Sequence, residues 1–287
     1  MFPFSDTTLA VFGPGLLGGS LLLEARARGV RQVRVWGRRE TSLQQVRERN
    51  LADFSSTDAC ETAKGADLLI LAVPVGAMAG LAGEICRASL PPEAVVTDVG
   101  SVKAAVLAGA GEVCRQAGIA FVGSHPMAGA ETPGLDAARA GLFEKAACLL
   151  TPDSATDPAA LEKVDCFWQA IGCRTSRLDA HRHDEVVARI SHLPHLSAVA
   201  ATLAAFRPDA SMAQFAAGGL RDTTRVASGL PSMWREILME NRTAILPTLK
   251  DLHHVTGELL EILGNEDDDR LLAFLEEARR LRATRYS

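Results

Sequence analysis

The chain has 287 residues, which is long enough for two domains of ordinary size, each with its own core. Its hydrophobic content of 47% is that of a globular protein, and its net charge of −5 at pH 7 argues against nucleic-acid binding. The longest apolar run is too short to span a bilayer, and the N-terminus MFPFSDTT lacks the basic and apolar regions of a signal peptide. We therefore expect a cytoplasmic protein that does not enter a membrane.

The first predicted elements enclose a glycine-rich turn. A strand at residues 9–12 is followed by Gly13, Gly15 and Gly18 in G-x-G-x-x-G spacing, and then by a leucine-rich helix. The first glycine permits a sharp turn, the second lets a pyrophosphate approach the backbone, and the third lets helix and strand pack closely. Free N–H groups at Leu16 and Leu17 would then bind the phosphates at the positive end of the helix dipole. This context favours a dinucleotide site over a plain glycine-rich turn.

The end of the second predicted strand indicates which dinucleotide is bound. NAD-binding folds usually place an acidic residue there, about 20 residues after the glycines. Here Gly37 occupies that position, and Arg38 and Arg39 follow it. A guanidinium can pair bidentately with the 2′-phosphate of NADP, although both arginines could also be solvated surface residues. The pattern predicts NADP, with NAD as the alternative.

Strand-like segments alternate with helical patterns through the first half of the chain. They are TLAVFG, QVRVWG, ADLLILAVP, AVVTDVG, IAFVGSHP and ACLLTP. This alternation predicts a Rossmann-type doubly wound, mostly parallel sheet over residues 1–156. Because ligands of such sheets bind beyond the carboxyl ends of the strands, Val73 and Pro74 are assigned to the coenzyme site. Ser101 and His125 follow two further strands and are candidates for the chemistry.

After residue 156 the pattern becomes helical, apart from one short candidate strand, CRTSRL. Residues 179–206 predict a helix of about 42 Å, which Pro194 disturbs at one turn. From residue 186 to 206 this helix is apolar nearly all round, which requires burial on every side. A domain of about 120 residues cannot easily enclose it, so residues 157–287 are predicted to form an all-helical substrate-binding and dimerisation domain of a homodimer.

The cysteines and histidines do not indicate a metal centre. The six cysteines form no C-x-x-C pair and mostly lie in apolar segments, so they are interpreted as reduced core residues. His192 and His195 are three residues apart on the predicted helix, but no third ligand with suitable spacing lies nearby. No metal site is predicted.

Four further segments carry a resemblance to a known family. TDVGSVKAAV, VGSHPMAGAETPG, ISHLPHLSAVA and AAGGLRDTTRVASGLPSMWREILMEN occur in the order found in the prephenate and arogenate dehydrogenases of tyrosine biosynthesis. The resemblance covers essentially the whole chain and implies oxidative decarboxylation of a cyclohexadienyl substrate, prephenate or arogenate. It also implies a Rossmann domain followed by a dimerising helical domain. Neither a chorismate mutase segment before the first strand nor a regulatory domain after Ser287 is expected.

The resemblance also implies roles for individual residues. His125 matches the catalytic histidine that takes the proton of the ring hydroxyl, and Ser101 would form a second hydrogen bond to that hydroxyl. Arg225 matches a residue that binds substrate carboxylate, while His195, with Ser191 one turn earlier, matches the substrate-side histidine. As alternatives, His125 could be an ordinary loop residue, and Arg225 could pair with a surface acid such as Asp222.

Three more residues of these motifs are interpreted less specifically. Lys103 could act in acid–base chemistry or only position Ser101 or the coenzyme. His192 is interpreted as a structural residue hydrogen-bonded within the long helix, and Trp234 as a core residue.

A preference for prephenate over arogenate is predicted from the segment SHLPH. Arogenate carries an ammonium where prephenate carries a keto oxygen, and the segment supplies His195 but no carboxylate. A neutral imidazole can donate a hydrogen bond to a keto oxygen, whereas a protonated one would repel the ammonium. Glu131 and Asp222 are the acids that would reverse this preference if they reached the pocket.

Two other functions explain part of the sequence. A hydroxyacid dehydrogenase or imine reductase would account for the glycines and the long helix. It would not explain the motifs GSHPMAGAE and SHLPH. A non-catalytic NADP-sensing module would need no proton acceptor beside the nicotinamide, so His125 and Ser101 argue against it.

Overall fold

The computed structural model describes residues 2–130 and 132–286, without the side chains of residues 285 and 286. The chain divides into two compact units, Met1–Asn241 and Arg242–Ser287. The first unit contains the strands β1 (Thr8–Phe12), β2 (Gln32–Trp36), β3 (Phe54–Ser56), β4 (Leu68–Leu71), β5 (Val95–Asp98), β6 (Ala120–Pro126), β7 (Ala147–Thr151) and β8 (Arg174–Arg177). They form one sheet in the order β3-β2-β1-β4-β5-β6-β7-β8.

Helices surround this sheet and continue beyond it. Those of the first unit are α1 (Leu16–Ala27), α2 (Glu40–Glu48), α3 (Ala59–Ala63), α4 (Val75–Ile85), α5 (Ala104–Val106), α6 (Glu112–Gln116), α7 (Pro158–Ala170), α8 (Ala180–Val187), α9 (Leu193–Phe206), α10 (Gly218–Thr224) and α11 (Pro231–Glu240). Short 3₁₀ turns lie at Phe4–Asp6, Leu135–Ala137, Ala210–Phe215 and Arg225–Ser228. The second unit consists of α12 (Arg242–Gly264) and α13 (Asp268–Tyr286). No helix among the described residues is both long and apolar enough to cross a membrane.

The sheet confirms the predicted Rossmann-type fold. Strands β1 to β6 pair in parallel, β7 runs antiparallel to β6, and β8 is parallel to β7. All six predicted strands are present, and the candidate strand CRTSRL forms β8. Strand β3 was not predicted, because its three residues FSS form no apolar run. The strand order reverses between β1 and β4, which is where such sheets bind their ligands.

The two central strands explain how the core is built. Every residue of β1 and β4 is buried, as expected for parallel strands covered on both faces. Leu9 and Val11 enter the apolar cluster on one face, and Ala10 and Phe12 enter the cluster on the other. All six cysteines are free thiols.

Helix α7 and strand β8 continue the sheet layer beyond residue 156. Asp157 caps α7 by accepting a hydrogen bond from the Ala159 N–H at 3.1 Å, as the Asp-Pro pair predicts. Phe167 and Trp168 of this helix belong to the same apolar cluster as Leu9 and Val11 of β1, and β8 pairs with β7. The division after residue 156 stays a prediction.

The predicted long helix is present but is interrupted at the proline. A π turn, Ala188–His192, separates α8 from α9 and ends two residues before Pro194, which has no N–H to donate. Asp179 caps the first turn by accepting from the Arg182 N–H at 2.9 Å. His195 and Ala198 are buried, but Ile190 is 61% exposed and Leu203 40% exposed. The single chain therefore does not enclose this helix on every side.

Candidate active site

The glycine turn has the geometry that a dinucleotide requires. Gly13 adopts φ +110°, and a Cβ there would lie 2.4 Å from the Ala72 carbonyl oxygen. A Cβ on Gly18 would lie 1.9 Å from the carbonyl oxygen of Gly13, whereas a Cβ on Gly15 would meet no atom within 4 Å. Two glycines thus serve the turn and the packing, and the third leaves open space. Gly15 also precedes α1 without capping it by a side chain, so the helix N-terminus presents N–H groups toward that space.

The segment after β4 lies beside this turn. Val73 Cγ1 is 3.0 Å from the position of a Cβ on Gly13, and Pro74 is the N-cap of α4. These residues are therefore placed where the sequence analysis expects coenzyme contacts. Gly15, the N-terminus of α1 and the loop after β4 together fit a bound dinucleotide.

The end of β2 has a packing constraint that the sequence does not reveal. Gly37 is buried, and a Cβ there would lie 2.9 Å from Leu43 Cδ2. Packing against Leu43 therefore explains the absence of an acid at this position, as would the binding of a 2′-phosphate. Arg38 and Arg39 are both exposed, and neither guanidinium hydrogen-bonds another residue in the described part of the chain.

Three buried side chains, those of Asp184, His183 and His125, form a hydrogen-bonded series. His125 Nδ1 lies 2.9 Å from His183 Nε2, and His183 Nδ1 lies 2.8 Å from Asp184 Oδ1. The Asp184 carboxylate also accepts the backbone N–H of Lys103 at 2.7 Å and that of Ala104 at 2.9 Å. Helix α8 therefore supplies two residues that connect the start of α5 to the end of β6.

The partners determine which nitrogen carries each proton. Burial alone would raise the pKa of Asp184, but the hydrogen bonds from His183 and the two backbone N–H groups hold its pKa below the ordinary 3.8. An ionised Asp184 accepts from His183 Nδ1–H, so His183 Nε2 accepts from His125 Nδ1–H. Burial, followed by the nearby His183 and Lys103, lowers the pKa of His125 well below 6.5. Neutral His125 therefore has Nε2 as a proton acceptor.

Lys103 is fully buried beside this series, and its backbone N–H donates to Asp184. Its ammonium pairs with the Asp98 carboxylate and donates to the Ser124 carbonyl oxygen at 2.9 Å. Asp98 in turn accepts from the Ser124 N–H at 3.0 Å. Burial lowers the pKa of Lys103, and the attraction of Asp98 opposes that effect. Lys103 thus holds the backbone directly before His125. This is a positioning role, but at a different place from Ser101 or the coenzyme, which the sequence suggested.

His195 lies against the ring of Trp234. The two ring centroids are 3.5 Å apart with an interplanar angle of 5°. His195 Nδ1 lies 2.9 Å from the Val226 carbonyl oxygen, to which it must donate. Trp234 is half-buried and stacks on His195, so its interpretation as a core residue is wrong. Sequence reasoning missed this role because stacking across 39 residues leaves no local pattern.

The tautomer of His195 corrects one argument made from the sequence. Burial lowers its pKa, although the Val226 carbonyl opposes this, so the ring is neutral near pH 7. With the proton on Nδ1, its Nε2 is an acceptor. Neutral His195 therefore does not supply the donated hydrogen bond on which the predicted preference for prephenate was based.

His192 is held from outside its own helix. Its Nδ1 lies 3.2 Å from Asn241 Nδ2, which also donates to the Asp184 carbonyl oxygen at 2.9 Å. Burial lowers the pKa of His192 to about 4. The structural role is supported, but the bonding partner follows α11 rather than lying within the long helix.

The remaining predicted residues are described by the elements that carry them. Ser101 follows β5, the strand beside the one that ends near His125, and is half-buried. Ser191 lies in the π turn four residues before His195. Arg225 is exposed and directly precedes Val226, whose carbonyl holds His195, while Asp222 lies 3.4 Å from Arg221. Glu131 lies outside the described residues.

His183, Asp184 and Asn241 were not predicted as site residues. The segment HRHDEVV looks like the polar start of a surface helix, and its partners are 57 to 81 residues away. A usable signal was the adjacent His-Asp pair at the start of the helix that also carries SHLPH.

Comparisons with known proteins identify the family of the chain. The family model described as prephenate dehydrogenase, nucleotide-binding domain, matches residues 23–177, and the model described as prephenate dehydrogenase, dimerization domain, matches residues 179–277. The chain belongs to the prephenate dehydrogenase family. Membership confirms the function expected from the four motifs and makes the protein a nicotinamide-dependent oxidoreductase of tyrosine biosynthesis.

Individual relatives of this family are similar along most of the chain. A cyclohexadienyl dehydrogenase of Zymomonas mobilis is 32% identical over 279 residues, covering 96% of this chain and 94% of that protein. A prephenate dehydrogenase of Bacillus subtilis is 32% identical over 279 residues, covering 95% of this chain and 74% of that protein. The structure of prephenate dehydrogenase from A. aeolicus, in complex with hydroxyphenyl propionate and NAD+, matches with a TM-score of 0.90 and 26% identity over 98% of this chain and 99% of that chain.

Proposed function

We propose that the enzyme converts prephenate to 4-hydroxyphenylpyruvate with NADP as the hydride acceptor and His125 as the general base. The observation that carries this proposal is the hydrogen-bonded series from Asp184 through His183 to His125. It fixes the tautomer of His125 so that Nε2 is available to take a proton.

The reaction needs one base at the ring hydroxyl. The hydroxyl proton moves to His125 Nε2 as the hydride leaves from the carbon that bears the oxygen, and carbon dioxide leaves from the opposite ring carbon. The electron pair that carbon dioxide leaves behind moves through the ring to the oxygen, and the resulting phenolate takes the proton back from His125 to give 4-hydroxyphenylpyruvate. The ring thereby becomes aromatic, and the nicotinamide, when bound, takes the hydride. Ser101 forms a second hydrogen bond to the hydroxyl and holds it beside the coenzyme.

The buried series also stabilises the charge that develops. When His125 accepts the proton it becomes an imidazolium, and its Nδ1–H remains hydrogen-bonded to His183. Asp184 holds His183 in the accepting tautomer and supplies the negative charge nearest to the pair. This is the arrangement by which a carboxylate orients a catalytic histidine, here with one additional imidazole between them.

Arg225 and Ser191 are proposed to bind the substrate carboxylates and side chain. A guanidinium forms two parallel hydrogen bonds to a carboxylate, which fixes both position and orientation. His195 Nε2 is an acceptor on the same side, and the stacked Trp234 restricts its ring. Arogenate is a second candidate substrate, because its ammonium could donate to that nitrogen, whereas the keto oxygen of prephenate could not.

NADP and a homodimer are the further parts of the proposal. Arg38 and Arg39 are exposed after β2, where a 2′-phosphate would be bound, and a guanidinium pairs well with phosphate. The apolar side chains exposed on the helical segments support association with a second copy of the chain. A location in the cytoplasm stays a prediction.

Replacing His125 tests the proposal. We expect H125N to lower kcat for NADP reduction with prephenate about 10²- to 10⁴-fold, the usual contribution of a positioned acid–base group, and to leave coenzyme binding unchanged. In the wild type, kcat/KM should fall with decreasing pH only well below 6.5, because the base works unprotonated and its pKa is lowered. Near-full activity of H125N, measured by the absorbance of the reduced nicotinamide, would remove His125 from the mechanism.

A further inference from the structure

Helix α11 contacts the substrate side of the site at two positions. Trp234 stacks on His195, and its ring also meets His192 edge-on at 6.1 Å between centroids. Asn241, which ends the helix, donates to the Asp184 carbonyl oxygen and to His192 Nδ1. The orientation of α11 is therefore tied to the histidine cluster and to the helix that carries Asp184.

The same helix also contacts the coenzyme side, through Glu236. Its Oε1 accepts the backbone N–H of Gly76 at 2.5 Å, a contact between residues 160 positions apart. Gly76 lies in the first turn of α4, whose N-cap, Pro74, provides no side-chain cap. Glu236 thus gives an otherwise uncapped helix N-terminus both an acceptor and a negative charge, which the helix dipole favours.

The first turn of α4 is directly connected to the coenzyme turn. Gly13 has no room for a Cβ because the Ala72 oxygen and Val73 Cγ1 would lie 2.4 and 3.0 Å away. Val73 is followed by Pro74 and then by α4. A shift of the segment after β4 therefore changes the position of the N–H group that Glu236 binds.

We propose that Glu236 is a positioning residue that couples coenzyme binding to substrate binding. It holds α11, and with it Trp234 and His195, against the segment that borders the dinucleotide. By thermodynamic reciprocity, coenzyme that orders the first turn of α4 strengthens substrate binding, and substrate that orders α11 strengthens coenzyme binding by the same factor. This inference deepens the proposed function and rests on it.

The test measures the coupling itself. The dissociation constant of NADP is determined by titration calorimetry without and with saturating 4-hydroxyphenylpyruvate, and the ratio of the two values is the coupling. We expect E236A to reduce the wild-type ratio about 3- to 10-fold, the range expected for a charged contact at a helix N-terminus. E236Q should give a ratio between those of E236A and the wild type, because its amide oxygen can still accept the Gly76 N–H but the negative charge is lost.

Glu240 provides the matched control. It is an exposed carboxylate of the same helix and makes no hydrogen bond or ion pair to another residue in the described ranges. E240A removes the same charge and should leave the ratio unchanged. A wild-type ratio in E236A, or an equal fall in E240A, would overturn the proposal.

Two further measurements keep the outcomes separate. If E236A does not fold, E236D replaces it, because the shorter side chain withdraws the carboxylate from Gly76 and should lower the ratio in a folded protein. If the wild type binds NAD in place of NADP, the proposed coenzyme is wrong, and the same ratio measured with NAD decides the role of Glu236.

Discussion

The sheet-forming part of the chain buries its large apolar side chains, whereas the helical part leaves many of them exposed. In the described residues, the fifteen large hydrophobic side chains that are exposed all lie between Ile190 and Leu281. The sheet, by contrast, buries every residue of β1, β4 and β5. The sheet region is a closed core that needs nothing more to cover it, whereas the helical region carries apolar surface suited to a partner.

The two regions contribute different parts of the proposed active site. The glycine turn and the strand ends that receive a dinucleotide belong to the closed part. The proposed catalytic series begins in the sheet, at His125, but the tautomer of His125 is fixed by His183 and Asp184 of α8. Asp184 also accepts two backbone N–H groups at the start of α5. The tautomer of His125 is therefore fixed only when α8 is packed against the sheet-forming part.

The largest expected effect comes from adding a methyl group inside the closed part. G18A places a Cβ 1.9 Å from the backbone oxygen of Gly13, which cannot move without opening the turn. We expect G18A to lower the free energy of unfolding by about 3 kcal/mol or more and to abolish coenzyme binding. G15A is the matched control, because its Cβ meets no atom within 4 Å. It should unfold within about 1 kcal/mol of the wild type and yet bind NADP weakly. Equal stabilities in urea denaturation would show that the turn is not packed as described.

A charge placed on the exposed apolar surface of the helical part tests whether a second copy of the chain covers it. Leu260 of α12 is 73% exposed, so L260E should change the stability of the single chain little. If a second copy covers this surface, the buried carboxylate should weaken the dimer about 100-fold or more. Light scattering at micromolar concentration should then report dimers for the wild type and monomers for L260E. Q45E, on the exposed face of α2, adds the same charge to the closed part and should remain dimeric. A monomeric wild type would contradict the proposed homodimer.

Asp184 tests the connection between the two parts. D184N can donate to His183 Nδ1, which favours the opposite tautomer and turns His183 Nε2 into a donor, so His125 Nε2 is no longer held as the free acceptor. We expect kcat to fall about 100-fold at pH 7 while KM for prephenate changes little, since substrate binding lies elsewhere. H183Q should lose less activity than D184N, because its amide oxygen can still accept from His125 Nδ1–H and leave Nε2 as the proton acceptor. Wild-type kcat in D184N would show that the series is structural only.

The sequence predicted the closed part better than the helical part for a physical reason. Strand periodicity, the glycine spacing and the Asp157 cap are local signals, and the strands and turn they predicted are present. The site depends on contacts that no local pattern records. His183 meets His125 across 58 residues, and Asn241 meets Asp184 across 57. The tautomer of His195 depends on a carbonyl 31 residues away, so the donor role expected from the sequence was wrong.

The smallest expected effect concerns the coenzyme. Gly37 has a steric reason to lack a side chain, because a Cβ would lie 2.9 Å from Leu43 Cδ2, so the missing acid does not by itself indicate NADP. The case therefore depends on Arg38 and Arg39, whose exposed guanidiniums follow β2. Loss of one charge-assisted hydrogen bond to the 2′-phosphate should lower kcat/KM for NADP about 10-fold in R38A and leave the value for NAD unchanged. R115A is the control, since Arg115 is exposed but pairs with Glu112 on α6. Steady-state rates with both coenzymes at saturating prephenate decide the matter. A wild type that uses NAD as well as NADP, or an R38A variant that loses both equally, would show that these arginines do not select the coenzyme.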